Sequence, residues 1–272
     1  MSASLRPVAD GVSVWLDAMP NPSRANAGVI HDADGITLVD SLVAPSAASE
    51  LADALNATDV PLRRLVYTGA TTTQVGGSSV FPLAAVYGSA QISAELELSA
   101  NPDGLRRLHP EFAAEFDDLA VRGVTHVVGE PAWVSATAIA VPVEGPLPGN
   151  LAVQVPAAGV VFAGSVCSFG VVPLGFSADL AAWASGLDRL LELGSIIVPG
   201  IGPVGGEREL SVLRDYLLAC CHAGGDLAGL PAGPWIDWPG HELHAVNVER
   251  AAIVAAGRDE IPSSMLRLLG LG

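Results

Sequence analysis

Lysine is absent from this chain of 272 residues: all 13 basic side chains are arginine, and they face 29 acidic ones for a net charge of -16. That balance argues against long-range attraction to nucleic acid or to an anionic lipid surface. The arginine-only basic set, in an alanine-rich chain, fits a GC-rich coding bias. Cysteine is nearly absent too. Three cysteines, with Cys220 and Cys221 adjacent, make neither a disulfide framework nor a C-x-x-C metal pair, and the adjacent pair reads as buried apolar thiols. Long apolar runs are missing although half of the residues are hydrophobic, because Gly, Pro or a charge interrupts each run before the roughly 20 residues of a membrane helix. The opening M-S-A-S-L-R-P has no basic stretch followed by an apolar one, so no secretory signal is expected and a soluble, cytoplasmic protein is. No repeat or low-complexity linker divides the chain. One domain over 1–272 is expected, with 224–272, Gly- and Pro-rich at first, as a C-terminal extension packed on it.

What is present is an alternation of short strands and helices. Val12–Leu16, Ala27–Ile30 and Ile36–Val39 read as strands, the last two joined through Asp34-Gly35 as a hairpin that opens the fold. The proline- and arginine-bearing loop 18–26 before that hairpin is placed to lean over a site. Pro45 near a helix start, with apolar residues at Leu51, Ala54 and Leu55, predicts an amphipathic helix, and Leu65–Thr68 a buried strand after it; this β-α-β order favours a parallel pair. A strand over Ala84–Tyr87, a helix over Ser89–Leu98 and a helical stretch over Pro102–Val121 interrupted at Pro110 follow. From Val124 short strands dominate, then helices return over Asp179–Leu193, Glu207–Cys221 and Leu243–Ala256, with a strand at Ile196–Val198. Two runs of strands then helices predict an α/β fold in which two mixed β-sheets pack face to face with helices outside, an αββα sandwich.

The loop V-Y-T-G-A-T-T-T-Q-V-G-G, Val66 to Gly77, stands at the carboxyl end of a strand, where side chains are held for chemistry, and its Gly76-Gly77 pair allows a helix to begin close to that strand. It offers only hydroxyls and one amide. It resembles the metal motif T-H-x-H-x-D-H-x-G-G of the metallo-β-lactamase superfamily, with Thr68, Gly76 and Gly77 retained and Gly69, Thr71, Thr73 and Gln74 where the family has His, His, Asp and His. Three further stretches fall in register over roughly residues 8 to 222. G-I-T-L-V-D is similar to the family's hairpin strand ending at an Asp, V-V-F-A-G-S to its F-x-G-D, and V-P-G-I-G-P to its V-P-G-H-G-P.

The resemblance implies a divergent member without the metal set. The third His position is Pro146, the bridging Asp is Ser165 and the last His is Ile201, so all seven ligand positions carry residues that bind zinc weakly or not at all. No metal and no cofactor are therefore expected, and the hydrolytic mechanism loses its activated water. The six histidines lie outside these positions, and His241-Glu242-Leu243-His244 reads as a polar helix start. Ser165, Thr71 and Asp40 are the catalytic candidates, with Asp40 cast by the resemblance mainly as the residue that steadies the loop. Thr71, Thr72, Thr73, Gln74, Ser165, Cys167 and Arg24 are the candidate ligand-binding residues; Cys167 enters on the expectation that strand alternation turns it to the same side as Ser165. Trp235 and Trp238 cover a pocket mouth, anchor a homodimer, or pack the terminal helix. Two functions stay open: a pseudoenzyme or accessory protein that binds a small molecule in the old cleft, and a metal-independent hydrolase, lyase or cyclase acting there on a small organic substrate.

Overall fold

The computed structural model describes residues 3–16, 21, 23–98 and 101–271. The chain begins with a hairpin that the pattern of strands did not announce: β1 (Ser4–Ala9) pairs antiparallel with β2 (Val12–Leu16) around an Asp10-Gly11 turn in which Gly11 has φ +68°. Asp-Gly is a turn pair of the same kind as Asp34-Gly35, but β1 alternates weakly because it is an edge strand with no fully buried residue. The expected hairpin follows as β3 (Ala27–Asp32) and β4 (Gly35–Val39). The loop before it belongs only in part to the described residues, since 17–20 and 22 lie outside them.

Helix α1 (Pro45–Asn56) places Pro45 in its first turn and buries Ala48, Leu51 and Leu55. Burying each of those leucines contributes about 1.5–3 kcal/mol. It crosses to β5 (Leu62–Val66), parallel to β4 as expected, although the strand begins three residues and ends two residues earlier than Leu65–Thr68. A single helical turn, α2 (Thr72–Val75), precedes the two glycines rather than starting at them. Gly76 and Gly77 serve close packing instead: a Cβ there would stand 2.0 Å from the Val43 carbonyl oxygen and 2.2 Å from that of Ser41. After β6 (Ala85–Gly88) come α3 (Ala90–Leu96), N-capped by Ser89, and α4 (Pro102–Leu108), N-capped by Asn101; the helical stretch breaks at Pro110, as its ring requires, into a 3-10 turn over Pro110–Glu115. The strand expected from Val124 shrinks to β7 (His126–Val127). Together β1 to β7 form one sheet in sequence order, antiparallel through β4 and parallel beyond.

The second sheet has the order β12-β11-β10-β9-β8, built from β8 (Ala132–Trp133), β9 (Ile139–Pro142), β10 (Leu151–Val155), β11 (Val160–Ser168) and β12 (Ile196–Ile201). The helical stretch 179–193 divides into α5 (Leu180–Gly186) and α6 (Asp188–Leu193), and α7 (Glu207–His222) and α8 (Glu242–Ala255) match expectation to within a residue or two. A last helix, α9 (Ser263–Leu268), was not foreseen. Among the described residues no helix is long and apolar enough to cross a membrane.

The layers are those of an αββα sandwich. Val29, Leu38, Leu65, Val153 and Phe162 belong to one core between the sheets, continuous with the buried face of α1. There the sheets approach so closely at Gly28 that a Cβ would stand 2.5 Å from the Phe162 ring. A second core lies on the outer face of the five-stranded sheet, where Val161, Ala163, Trp183, Leu213, Tyr216 and Val246 pack. The C-terminal segment contributes to this core and also holds the chain after β11. Asn247 donates to Pro173 O at 2.8 Å and accepts from Gly175 N at 3.0 Å, and Arg250 donates to the carbonyls of Ala178 and Ser177.

Candidate functional site

The strand ends that carry the motif residues meet at one edge of the sandwich, and hydrogen bonds close that edge. Asp40 follows β4 with φ +61°, a left-handed backbone that Asp adopts more readily than most residues. Its carboxylate accepts from Thr68 N at 2.8 Å and from Thr68 Oγ1 at 2.7 Å, while its own N–H donates to Val66 O, so it ties the ends of the parallel strands β4 and β5. Asp40 and Thr68 are both buried. Burial pushes the Asp40 carboxyl up to about 7, against the two Thr68 hydrogen bonds, which favour its charged form.

Thr68 then links the sheets. Its carbonyl oxygen accepts from Leu151 N at 2.9 Å and Asn150 Nδ2 at 3.1 Å, and its hydroxyl oxygen accepts from Ser165 N at 3.3 Å. Asn150, 1 % exposed, also donates from Nδ2 to Ser165 Oγ at 2.7 Å and accepts from Leu147 N at 2.9 Å. Ser165 Oγ donates in turn to Thr68 O at 3.4 Å. The space beside Gly69 is therefore occupied: a Cβ on Gly69 would lie 2.5 Å from Ser165 Oγ and 3.0 Å from Asn150 Nδ2. Asn150 was not among the expected site residues. Its only sequence signal is an amide at the junction of the G-P-L-P-G turn and an apolar strand.

Much of the rest of the loop bonds within itself or to Ser41. Thr71 Oγ1 contacts Gln74 Oε1 and stands 2.9 Å from Thr73 Oγ1, and the Gln74 carbonyl accepts from Ser41 N at 2.6 Å and Ser41 Oγ at 2.9 Å. Thr73 and Gln74 are buried, whereas Thr71 and Thr72 are half-buried. Beside Asp40 a void of about 10 Å³, bordered by Asn26, Gly164 and Pro199, has room for one water at most.

Two expected members fall elsewhere. Gly164, with φ +48°, shifts the register of β11 against β12 and breaks its alternation. Cys167 lies in the outer core with Val161, Ala163 and Trp183, where burial pushes its thiol far above the usual range, and Ser165 is the residue set apart from that face. Arg24 pairs with Glu111 at 3.0 Å and lines a separate cavity of about 100 Å³ whose walls include neither the Thr71–Gln74 turn nor Ser165. The histidines are placed structurally: His126 stacks on Tyr87, His109 meets Ser23 Oγ at 3.3 Å, and His244 bonds Tyr216 at 3.0 Å. Burial pushes His109 down to about 4. Trp235 and Trp238 pack on Tyr216, each with ring centroids 5.6 Å away.

Zinc is the group that the motif frame implies, and the donor set does not fit it. Gly69, Thr71, Thr73, Gln74, Pro146, Ser165 and Ile201 supply no imidazole, thiolate or carboxylate. Among the described residues no three His, Cys, Asp or Glu side chains converge on a point.

No family model and no curated protein matches the sequence. Solved structures do match. The metallo-β-lactamase FIM-1 from Pseudomonas aeruginosa, in its mono-zinc form, aligns over 85% of this chain and 98% of its own with a TM-score of 0.61 and 17% identity. A metallo-β-lactamase from Hirschia baltica aligns over 79% of this chain and 97% of its own (TM-score 0.60, 16% identity), and one from Erythrobacter litoralis over 80% and 96% (TM-score 0.59, 20% identity). Identities this low speak for the fold alone. The chain has the metallo-β-lactamase fold.

Proposed function

We propose that this metallo-β-lactamase-fold chain has lost the zinc hydrolysis of the motif it departs from, and that it acts without metal or cofactor by binding a small organic molecule at the strand-end edge of the sandwich. It is read as a cytoplasmic pseudoenzyme or accessory protein. The observation that carries this reading is the Asn150 amide, which spans Ser165 Oγ and Thr68 O and closes the space at Gly69. A residue placed so fills the former centre with hydrogen bonds that are already satisfied. The space for a ligand lies instead in the cavity of about 100 Å³ at Arg24.

The enzyme reading finds less support. A nucleophile needs a base within reach, and among the described residues Ser165 Oγ meets only an amide nitrogen and a backbone carbonyl. The Asp40 carboxyl is raised to about 7 by burial, but among the described residues its side chain bonds only Thr68, and both are buried.

The test is native mass spectrometry of the full chain purified without chelator, followed by denaturing extraction. The expected result is an organic adduct that survives native conditions and is released on unfolding. Turnover of an ester, lactam or phosphoester that zinc restores after chelation would overturn the reading.

A further inference from the structure

The cavity at Arg24 lies between the end of β2, the loop before β3 and the first turns of α1. Its walls combine two aromatic rings, Trp15 and Phe112, with four polar side chains, Ser23, Arg24, Ser46 and Glu50. Three of the four are engaged. Arg24 Nη2 donates to Glu111 Oε2 at 3.0 Å, Ser46 donates from N and Oγ to the Glu115 carboxylate at 2.9 and 2.6 Å, and Ser23 Oγ donates to Leu108 O at 3.3 Å. Glu50 is exposed and makes no hydrogen bond or ion pair among the described residues.

The signs of the charges discriminate between ligands. Glu50, Glu111 and Glu115 set three negative charges against one positive charge on Arg24, in a chain whose net charge is -16. An anion would have to compete with Glu111 for Arg24 and sit among carboxylates. A cation meets a carboxylate with no partner among the described residues and two aromatic rings, whose quadrupoles attract positive charge over their faces. The volume, about 100 Å³, suits a compact head group rather than an extended molecule.

We propose that this pocket binds a small organic cation of trimethylammonium type, with its charge against Glu50 and its methyl groups against Trp15 and Phe112. This rests on the binding reading above and names the chemical class of the ligand. Glu50 and Phe112 then determine specificity, while Trp15 shapes the wall from within the core.

The experiment is calorimetric titration of the full chain at constant ionic strength with three probes: tetramethylammonium chloride, sodium acetate, and neopentyl alcohol as a neutral, water-soluble analogue of similar shape. Saturable binding of tetramethylammonium alone is expected. Glu50→Gln should weaken it about tenfold with the melting temperature unchanged, because Glu50 is exposed, and Phe112→Leu about threefold, at a half-buried side chain that also packs against Val43, Ala44 and Phe116. Equal binding of tetramethylammonium and neopentyl alcohol, saturable binding of acetate instead, or full affinity in Glu50→Gln would each overturn the proposal, as would no binding of any probe. An organic adduct in the native mass spectrum would then leave the binding reading standing without this ligand class.

Discussion

The motif loop at Thr68–Gly77 and the cavity at Arg24 lie toward the same strand-end edge of one sandwich, and they use polar residues in opposite ways. In the loop nearly every polar group is spent on another: Asp40 on Thr68, Thr68 on Asn150 and Ser165, Thr71 on Gln74. In the cavity one carboxylate, Glu50, has no partner among the described residues and stands beside aromatic walls. A closed network of satisfied hydrogen bonds rigidifies, whereas an unpartnered charge beside a cavity has affinity to offer. Where the resembling motif would set a metal, this chain joins its two sheets through Thr68, Asn150 and Ser165.

That contrast can be broken most severely at Gly164. A Cβ there would stand 1.8 Å from Thr68 Oγ1 at a backbone φ of +48°. Gly164→Ala should therefore cost about 4 kcal/mol in urea-melt stability, by steric displacement of Thr68 and backbone strain together. A substitution at the cavity wall such as Glu50→Gln should change stability by under about 0.5 kcal/mol.

Asp40 gives a second test through pH. Its carboxyl holds a proton up to about 7 in the fold and releases it near 3.8 in the unfolded chain. Between those values the folded state binds more protons, so this group's contribution to stability falls as pH rises from about 4 to about 7 and is level above. The fall is at most about 4 kcal/mol. Asp40→Asn should flatten that limb of the stability profile. Glu249 slopes the other way: burial works to raise its carboxyl, but hydrogen bonds from Ser264 and Ser263 prevail and hold it at about 2, so its contribution is lost only as pH falls from 4.5 toward 2.

Asn150→Ala is the more local probe. It strips partners from Thr68 O, Ser165 Oγ and Leu147 N at once and should cost about 2–3 kcal/mol, measured by chemical denaturation. If Asn150 plugs the edge, the variant should also exchange the Leu151 amide, which bonds Thr68 O, faster with deuterium.

Much of the fold was legible because its signals are local. Alternation, Asp34-Gly35 and the Pro45 helix start each act within a few residues, and four motif fragments in register carried the order of the layers. The elements missed or shortened, β1, β7, β8 and α9, are peripheral or only two residues long, where pairing partners rather than propensity decide the outcome. The site was legible as a list of replaced residues but not as an arrangement. The register shifts on either side of Gly164 set Ser165 apart from Cys167, and Asn150 reached Thr68 across 82 residues of chain, which no spacing rule can anticipate.

The most direct measurement is the metal content of the full chain, expressed in medium supplemented with zinc, iron and manganese and purified without chelator. Hydroxyls, one glycine and an amide around a closed edge predict less than about 0.1 equivalents of any of the three by elemental analysis. One equivalent or more, lost when Thr71 or Gln74 is replaced by Ala, would contradict the account.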